Sequence, residues 1–580
     1  MSFCPNLNAL RSLRRMTMRL LRASNLKQNF CVKFCKLFNH ESKEYNMNLI
    51  EFIEKETTKP YKQIILIVTI AGIANGLLLG IINHATQAVA DNEDLSQNFL
   101  LYMFAFALFL YGQWFAFERA IITIEDAIYN IRIRLTNKIQ KVELSFMEEK
   151  GSNNLYARFT QSDIVISQAI PQITGAAQMS ILMIFSFLYL AYISPLSFLI
   201  SMVSILVGAF LFLSRTKDIK ALLQEVKKKE VNYFKSISHL INGFKEIKIN
   251  QKKGEHILRN IEAQSSEIEK IKVEVGKQES RLWGHGRVLV YTLLPILIFV
   301  IPSISEVHTD NIYKVSSTIL FITGPIAILI NVIPVLNRVH MSIDELIELE
   351  QEMDNAINKE PQNSACFFQD FNEISMRNLS FSYSNNGLGF VAGSFDERII
   401  KGELLFIVGG NGSGKSTYLK LLTGLYYPDK GDIVVDSTVI EEACYVAYRN
   451  LFSAIFTDFH LFDKFYGVDG VDQEKVDFWL EKMKLKDIVQ YHDEGFSTIS
   501  LSTGQRKRLA FIAAILEDKP ILVMDEFAAD QDPQFRKYFY ETLLPELKTM
   551  GKTVIAVTHD DHHFHVADRL IKMEEGKVLK

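Results

Sequence analysis

Six long apolar stretches constrain the fold of this 580-residue chain more than any other feature. The hydrocarbon core of a bilayer is about 30 Å thick, so a helix needs roughly 20 apolar residues to cross it. Helices that pack in a soluble core usually keep one polar face, whereas these stretches are apolar on all sides. The sequence therefore predicts six transmembrane helices, over residues 64–82, 99–117, 169–193, 196–213, 288–304 and 315–337.

The lysines and arginines between these stretches predict how the chain is oriented, because positive charge favours the cytoplasmic side of a membrane. Lys314 is the single Lys or Arg in the segments 91–98, 194–195 and 305–314. The loops after the second and fourth stretches, in contrast, are rich in Lys and Arg. Both large loops and both termini are therefore expected in the cytoplasm. The chain is expected to cross the inner membrane of a bacterium several times.

The loop after the fourth stretch, roughly 70 residues long, has its own regular pattern. Apolar residues recur at three- and four-residue steps from Ile219 to Ile247, which is helical spacing. This predicts a helical hairpin that turns at Asn242 and Gly243, with arms of roughly 50 Å at about 1.5 Å per residue. Arms of that length can carry motion between the cytoplasm and the membrane.

Composition limits the partners and the redox state. A net charge of −4 argues against a nucleic-acid-binding protein. Residues 1–46 form a basic extension that fits a surface-lying amphipathic helix, an organelle transit peptide or an untranslated extension with the true start at Met47, and the last of these is favoured. Thiols stay reduced in the cytoplasm, so no disulfide is expected. The cysteines are Cys4, Cys31, Cys35, Cys366 and Cys444.

The second half of the chain contains a phosphate-binding loop in its required setting. Residues 403–408 have the pattern of a buried strand, residues 418–422 that of a helix, and the loop between them fits GxxxxGK[ST]. Its glycines let backbone N–H groups surround phosphates, and the helix N-terminus adds positive potential. Lys415 is expected at the β- and γ-phosphates and Ser416 on Mg²⁺. The predicted ATP-binding residues here are Gly409, Gly410, Asn411, Gly412, Ser413, Gly414, Lys415, Ser416 and Thr417.

Two further segments complete the predicted chemistry. Residues 521–526 read as a buried strand that ends in two acids. Asp525 is expected to hold Mg²⁺, through water, and Glu526 to polarise the attacking water. Between this strand and the phosphate loop, a Ser- and Gly-containing segment precedes an apolar helix and predicts a second anion-binding N-terminus. It consists of Leu501, Ser502, Thr503, Gly504 and Gln505.

Phosphate loop, Ser-Thr-Gly-Gln loop and acidic strand, in this order, resemble the ATPase domain of ABC transporters. The resemblance implies that Tyr383 stacks on adenine, that Asp530 lies in the loop contacting a partner subunit, and that His559 senses the γ-phosphate. The loop that corresponds to residues 501–505 is called the signature loop in that family. The signature loop of one subunit there closes on the nucleotide of the other. A chain with six spans and one ATPase domain thus looks like a half-transporter that works with a second copy of itself.

Two positions depart from the common family pattern. Thr457 stands where most ABC ATPases carry the Gln that links Mg²⁺ to the transmembrane part, and Thr503 stands where Gly is usual. Together with the segments 501–508, 525–533 and 559–562, these residues resemble the cyclic-peptide and siderophore (pyoverdine-type) exporters. Thr457 is therefore kept among the residues expected near the nucleotide. This resemblance extends over residues 47–580.

The predicted fold is an α-helical six-span transmembrane domain, like that of type-1 ABC exporters, fused to an α/β P-loop nucleotide-binding domain. The expected bounds are 1–46 for the basic extension, 47–345 for the transmembrane domain with its cytoplasmic helical loops, 346–364 for a linker, and 365–580 for the ABC ATP-binding domain.

Three functions are compatible with this organisation. The first is export of a peptide-like or siderophore-like molecule, driven by ATP hydrolysis with Mg²⁺, across the lipid bilayer by a homodimer. The second is a lipid flippase of the same fold. The third is a nucleotide-gated membrane regulator that binds ATP without useful turnover. Thr457 leaves the regulator open. Four intact residues argue against it, namely Lys415, Asp525, Glu526 and His559.

Overall fold

The computed structural model describes residues 49–57, 59–90, 92–300, 312–357, 366–383, 390–468, 470–492 and 495–579. The described residues fall into two compact units. The first contains those up to 131 together with 160–346, and the second contains 132–159 with those from 347 onward. The basic extension and residues 358–364 of the predicted linker lie outside the described residues, whereas linker residues 346–356 continue a helix.

The described residues of the first unit form mostly long helices, as the long apolar runs predict, together with two short ones. They are α1 (Leu49–Glu56), α2 (Tyr61–Ala90), α3 (Ser96–Ile139), α5 (Ser152–Ile193), α6 (Pro195–Asn242), α7 (Phe244–Ile249), α8 (Gln251–Pro295, continued by a π-helical turn at Ile296–Val300) and α9 (Ile312–Ala356). The short helix α4 (Leu144–Lys150) belongs to the second unit.

As far as it is described, each predicted span lies in a separate long helix, and the prediction of a membrane domain is confirmed. Within the described residues, α2, α3, α5 and α9 contain stretches long and apolar enough to cross a bilayer. Pro195–Gly208 forms a shorter apolar helix within α6. The break between the third and fourth spans falls at Ser194, whose side chain accepts a hydrogen bond from the Ser197 N–H at 3.3 Å. Residues 301–304 of the fifth span lie outside the described part.

Close helix packing in the first unit depends on small residues. A Cβ on Gly72 of α2 would lie 2.7 Å from the Cβ of Ile181 in α5, and one on Gly76 would overlap the Phe185 ring. Membrane helices associate through van der Waals contact, and small residues allow their backbones to approach.

The predicted helical hairpin is confirmed. Helix α6 ends at Asn242 and α8 returns beside it, with an apolar contact cluster around Ile219 and Val275. Ion pairs join the two arms, for example Lys229 with Glu267 at 2.7 Å. The turn at Gly243 is where the helical periodicity of the sequence is interrupted.

The described residues of the second unit form three sheets. A five-stranded sheet comprises β1 (Glu373–Ser382), β2 (Val391–Phe395), β3 (Arg398–Ile400), β5 (Lys430–Val435) and β6 (Thr438–Val439). A six-stranded sheet comprises β4 (Leu404–Gly409), β7 (Phe452–Ile455), β10 (Ile521–Asp525), β11 (Thr553–Val557), β12 (Arg569–Glu574) and β13 (Lys577–Leu579). A small hairpin pairs β8 (Tyr491–His492) with β9 (Gly495–Phe496).

Helices cover both faces of the six-stranded sheet, and two buried apolar clusters form the core. Strands β10 and β11 are buried at every position, which is the pattern of parallel strands covered on both sides. The α-helices of this part are α10 (Lys415–Leu422), α11 (Tyr445–Arg449), α12 (Gln473–Lys482), α13 (Thr503–Leu516), α14 (Pro533–Tyr538) and α15 (Leu544–Thr549). A π-helical turn spans Phe539–Leu543, and 3-10 turns span Glu442–Cys444, Phe527–Asp530 and Asp561–Val566.

The expectation that no disulfide forms is wrong for one pair. Cys366 and Cys444 are bonded to each other, with their Cα atoms 5.3 Å apart. Cys444 belongs to the buried cluster beneath the five-stranded sheet, and Cys366 packs against that cluster. The expectation was based on the redox state of the cytoplasm, and the sequence does not reveal that folding brings two cysteines 78 residues apart together.

Candidate functional site

Parallel strands bring the predicted site residues to one edge of the six-stranded sheet. Strands β4, β11, β10 and β7 lie side by side and run in the same direction. The carboxyl ends of parallel strands meet at one sheet edge, where open α/β proteins bind ligands. The residues that follow these strands, among them Gly410, Thr457, Glu526 and His559, therefore meet at that edge.

The phosphate loop connects β4 with α10 and has the geometry of an anion cradle. Gly414, which caps α10, has a φ of +96°, a conformation that L side chains rarely adopt. The Lys415 Nζ donates to the carbonyl oxygens of Gly409 and Gly410 at 2.9 and 3.0 Å, so the ammonium lies across the loop. The Ser413 Oγ is buried with no hydrogen-bond partner among the described residues. Bound phosphate oxygens would satisfy these donors, so the loop fits a nucleoside triphosphate.

A cluster of oxygen ligands lies beside the loop. The Ser416 Oγ donates to the Asp525 Oδ2 at 3.2 Å. The Thr457 hydroxyl lies close enough to the Asp525 carboxylate to affect its pKa. Burial raises the pKa of Asp525 above its ordinary value, and the two hydroxyls oppose that shift. Hydroxyl and carboxylate oxygens are the ligands that Mg²⁺ prefers. Ser416 and Asp525 therefore fit the predicted magnesium site, with Thr457 next to it.

Glu526 and His559 are brought together, although 33 positions separate them in the chain. The His559 Nε2 lies 3.2 Å from the Glu526 Oε1. Glu526 directly follows β10, and His559 follows β11 with Thr558 between them. The last residues of the two strands, Asp525 and Val557, pair in register. A carboxylate in contact with an imidazole at the end of a phosphate cavity can hold and polarise a water molecule.

Tyr383 lies at the end of β1, and its hydroxyl is 3.1 Å from the Thr417 Oγ1 in α10. Its ring is partly exposed and lies near the aromatic rings of Phe381, Phe390 and Tyr426. An exposed ring beside the phosphate loop can stack on a base. Sequence reasoning missed Phe390, which lines the cavity together with the phosphate loop.

The segment 501–505 forms the start of α13 and lies at the surface. The Ser502 Oγ accepts from the Gln505 N–H at 3.4 Å, and the Gln505 side chain accepts from the Ser502 N–H at 3.0 Å, which is a capping box. Thr503 and Gly504 occupy the first helical turn. The predicted helix start is thus present at the surface, and its role as a second phosphate-binding surface stays a prediction.

One cavity of about 360 Å³ gathers part of the predicted site. Its lining does not include the segment 501–505 or Asp530. Asp530 instead pairs with Lys507, a residue that sequence reasoning did not select. The cavity is lined by Phe390, Asn411, Gly412, Ser413, Gly414, Lys415, Ser416, Thr417 and Glu526.

Comparisons with known proteins agree with this architecture. A family model described as ABC transporter matches residues 394–529, and one described as ABC transporter transmembrane region matches residues 63–324. The chain is 32% identical over 470 residues to ATP-binding protein SyrD of Pseudomonas syringae pv. syringae, covering 77% of this chain and 82% of that protein. This likeness extends through both the membrane and nucleotide-binding parts.

Other similarities are more local or concern the fold alone. The ATP-dependent lipid A-core flippase of Chromohalobacter salexigens is 26% identical over 260 residues, covering 42% of this chain and 44% of that protein. A structure of a bacterial Atm1-family ABC exporter with ATP bound matches with a TM-score of 0.74 at 16% identity, covering 90% of this chain and 95% of that one. This chain therefore belongs to the ABC transporter family, as an exporter half-transporter whose ATP-binding domain couples ATP hydrolysis to transport.

Proposed function

We propose that two copies of this chain export a peptide-like or siderophore-like molecule across the bacterial inner membrane, using two Mg²⁺-ATP sites formed between the copies. The observation that carries the proposal is the convergence of Lys415, Asp525, Glu526 and His559 at one sheet edge, in a chain that also has a membrane region. The substrate class is supported by the resemblance of the motor motifs to cyclic-peptide and siderophore exporters.

The residues around the cavity divide the chemistry among them. The phosphate loop and Lys415 bind the triphosphate, and Ser416 and Asp525 hold Mg²⁺, which neutralises phosphate charge when bound. Glu526 orients the attacking water and accepts its proton, while His559 holds the Glu526 carboxylate in place. Tyr383 takes the adenine ring. Hydrolysis then depends mainly on positioning and charge stabilisation.

The homodimer is supported by where the second phosphate-binding surface lies. Leu501, Ser502, Thr503, Gly504 and Gln505 are absent from the cavity that Lys415 lines, yet the capped helix start leaves N–H groups for a phosphate. A second copy related by two-fold symmetry supplies that helix start to the first copy's nucleotide, and receives the same in return.

The orientation and domain bounds belong to the proposal as well. The ATP-binding domain, residues 365–580, and both termini lie in the cytoplasm, because Lys and Arg are concentrated in the loops on that side. The transmembrane domain occupies 47–345 and a linker 346–364. The two family-model matches, residues 63–324 and 394–529, fall inside these bounds and support them.

A lipid flippase is the second candidate, favoured by the partial likeness to lipid A-core flippases. The test is ATPase stimulation of the reconstituted full-length chain by cyclic peptides, siderophore precursors and lipids. We expect cyclic peptides or siderophore precursors to stimulate hydrolysis, and lipids to leave it at the basal rate. Stimulation by lipids alone would favour the flippase, and the absence of basal hydrolysis would favour a nucleotide-gated regulator.

A catalytically impaired variant serves as control in the same assay. Glu526→Gln keeps the size of the side chain and removes its negative charge, so we expect ATP binding to persist and sustained hydrolysis to fall by about a thousandfold. Wild-type turnover by Glu526→Gln would show that Glu526 is not the base.

A further inference from the structure

The backbone of Glu526 has an unusual conformation. Its φ of 51° and ψ of 41° lie in the left-handed region, which residues other than glycine seldom adopt. Such conformations persist only where surrounding contacts enforce them, and they are concentrated at functional sites. The contacts that hold Glu526 therefore decide where its carboxylate lies.

Lys507 supplies one of these contacts. It lies in α13, two positions after the segment 501–505, and is only 2% exposed. Its Nζ donates to the Glu526 carbonyl oxygen at 2.7 Å and pairs with the Asp530 Oδ2 at 2.7 Å. The Glu526 carbonyl also accepts from the Ala529 N–H at 3.3 Å. A buried ammonium is costly unless it is paired, so both partners are needed where they lie.

Further contacts join the start of α13 to the residues that follow Glu526 in the chain. The Gln531 Nε2 donates to the Gly504 carbonyl at 3.1 Å, and Arg508 donates to the Gln531 Oε1 and the Asp532 Oδ2, each at 2.7 Å. A Cβ on Gly504 would lie 2.6 Å from the Asp530 carbonyl oxygen, so the two backbones are in close contact. The start of α13 and residues 526–532 are thus held as one piece.

We propose that Lys507 is a positioning residue for ATP hydrolysis. Its hydrogen bond fixes the Glu526 backbone, and because Lys507 lies on the helix that begins at Ser502, it ties Glu526 to the signature loop of the same chain. When that loop engages a nucleotide held by the second copy, α13 and Glu526 shift together. The inference rests on the proposed function in one respect, namely that Glu526 activates the attacking water.

The experiment uses the full-length chain in liposomes and compares three Lys507 variants. Lys507→Met keeps the length and removes the donor, so kcat is expected to fall by at least about tenfold while KM for ATP stays within about twofold. Lys507→Gln retains an amide donor that reaches the Glu526 carbonyl, so kcat is expected within about threefold of the wild type. Lys507→Asn is polar but too short to reach, and is expected to behave like Lys507→Met.

Lys552 provides a matched control on the opposite edge of the sheet, just before β11. Like Lys507, it donates from its Nζ to one carboxylate and one backbone carbonyl. These are the Asp518 carboxylate at 2.5 Å and the Lys519 carbonyl at 2.9 Å. Lys552→Met removes the same kind of contacts, so its melting temperature is expected to fall while kcat stays within about twofold of the wild type.

The outcomes separate the possible roles. A wild-type kcat in Lys507→Met, a rise in KM in place of the kcat loss, or an equal kcat loss in Lys552→Met would overturn the proposal. If Lys507→Met does not fold, the pair Lys507→Gln and Lys507→Asn decides, and equal kcat values for the two would overturn it. Glu526→Gln, measured alongside in a chain with the wild-type Lys507, tests the proposed function separately, because the loss of hydrolysis expected in that variant does not require any role for Lys507.

Discussion

Thr457 is the single side chain at which the site departs most from the expected chemistry. The expected Gln is replaced by the shorter Thr457, whose hydroxyl lies close enough to Asp525, the carboxylate proposed to hold Mg²⁺, to lower the pKa of that carboxylate. Mutating a residue that hydrogen-bonds to a metal ligand typically lowers metal affinity or activity about 10- to 100-fold. The hydroxyl can therefore take the place of the amide by orienting Asp525.

We predict that Thr457→Val, which removes only the hydroxyl, raises the Mg²⁺ concentration needed for half-maximal ATPase activity by about tenfold. Thr457→Gln is expected to keep most of the activity, because its amide can also reach the metal site. The measurement is a Mg²⁺ titration of ATPase activity at fixed ATP. The control is Asp458→Asn at the exposed neighbouring position, for which no change is expected. Loss of metal-free nucleotide binding in Thr457→Gln would contradict the assignment of Thr457.

Asp568 predicts a pH dependence of stability. Its carboxylate accepts from Lys548 at 2.6 Å and from the Leu404 N–H at the start of β4 at 2.8 Å, and these contacts hold the pKa of Asp568 below its ordinary value. A lowered pKa stabilises the fold above the pKa of the unfolded chain, and this stabilisation is lost as the pH falls through the folded value.

We expect the free energy of unfolding of Asp568→Asn to be lower than that of the wild type by about 1 kcal/mol at pH 7. The effect is small because Asp568 and Lys548 are both partly exposed to solvent. The difference should shrink as the pH falls below the ordinary pKa of an Asp side chain, about 4, and the wild-type carboxylate becomes protonated. Thermal unfolding of the detergent-solubilised chain across this range measures it. A difference that stays constant with pH would show that the charge of Asp568 contributes nothing.

Among the segments, α4 is the one whose contacts the sequence did not predict. Leu144 packs against the buried core beneath the five-stranded sheet. The Glu148 carboxylate accepts from the Lys420 Nζ at 2.7 Å and from the Tyr426 hydroxyl. The Tyr426 hydroxyl also accepts from that of Tyr383 at 3.4 Å. Burial and the Glu148 carboxylate raise the pKa of Tyr426, so it remains a donor. A hydrogen-bonded path therefore links α4 to the residue proposed to stack on adenine.

We predict that Glu148→Gln reduces substrate stimulation of ATPase activity by about threefold or more, while basal hydrolysis changes by less than about twofold. The reason is that the amide weakens the contacts to Lys420 and Tyr426 without touching the phosphate loop. Glu149→Gln alters an exposed residue of the same short helix and should leave stimulation unchanged. Equal effects of the two variants would show that the path through Tyr426 has no role in coupling.

The segments also show what a sequence can and cannot predict. The phosphate loop, the acidic strand and the helical hairpin were predictable, because each depends on residues that are neighbours in the chain. The Glu148–Tyr426 contact joins residues 278 positions apart, and the Cys366–Cys444 bond joins residues 78 apart. Lys507 reads as one of three consecutive basic residues at the start of an apolar helix, and only the packing shows that it is buried. Such contacts depend on how elements pack, and no local pattern encodes them.

For the entire chain, the decisive question is whether one site draws on two copies. Lys415 and Glu526 line a common cavity, whereas Ser502 does not contribute to it. If the second copy supplies Ser502, defects in Lys415 and Ser502 should combine differently according to which chain carries them. A two-fold axis makes both sites equivalent, so the outcome can be counted in intact sites.

Heterodimers with different affinity tags make this test. When one chain carries Lys415→Ala and the other Ser502→Arg, a site shared between chains predicts that both defects fall in one site, leaving the other intact. When one chain carries both substitutions and the other none, each site has one defect and none remains intact. We expect the first heterodimer to retain about half of the wild-type vanadate-trapped nucleotide and the second almost none. The reverse order would mean that each chain completes its own site.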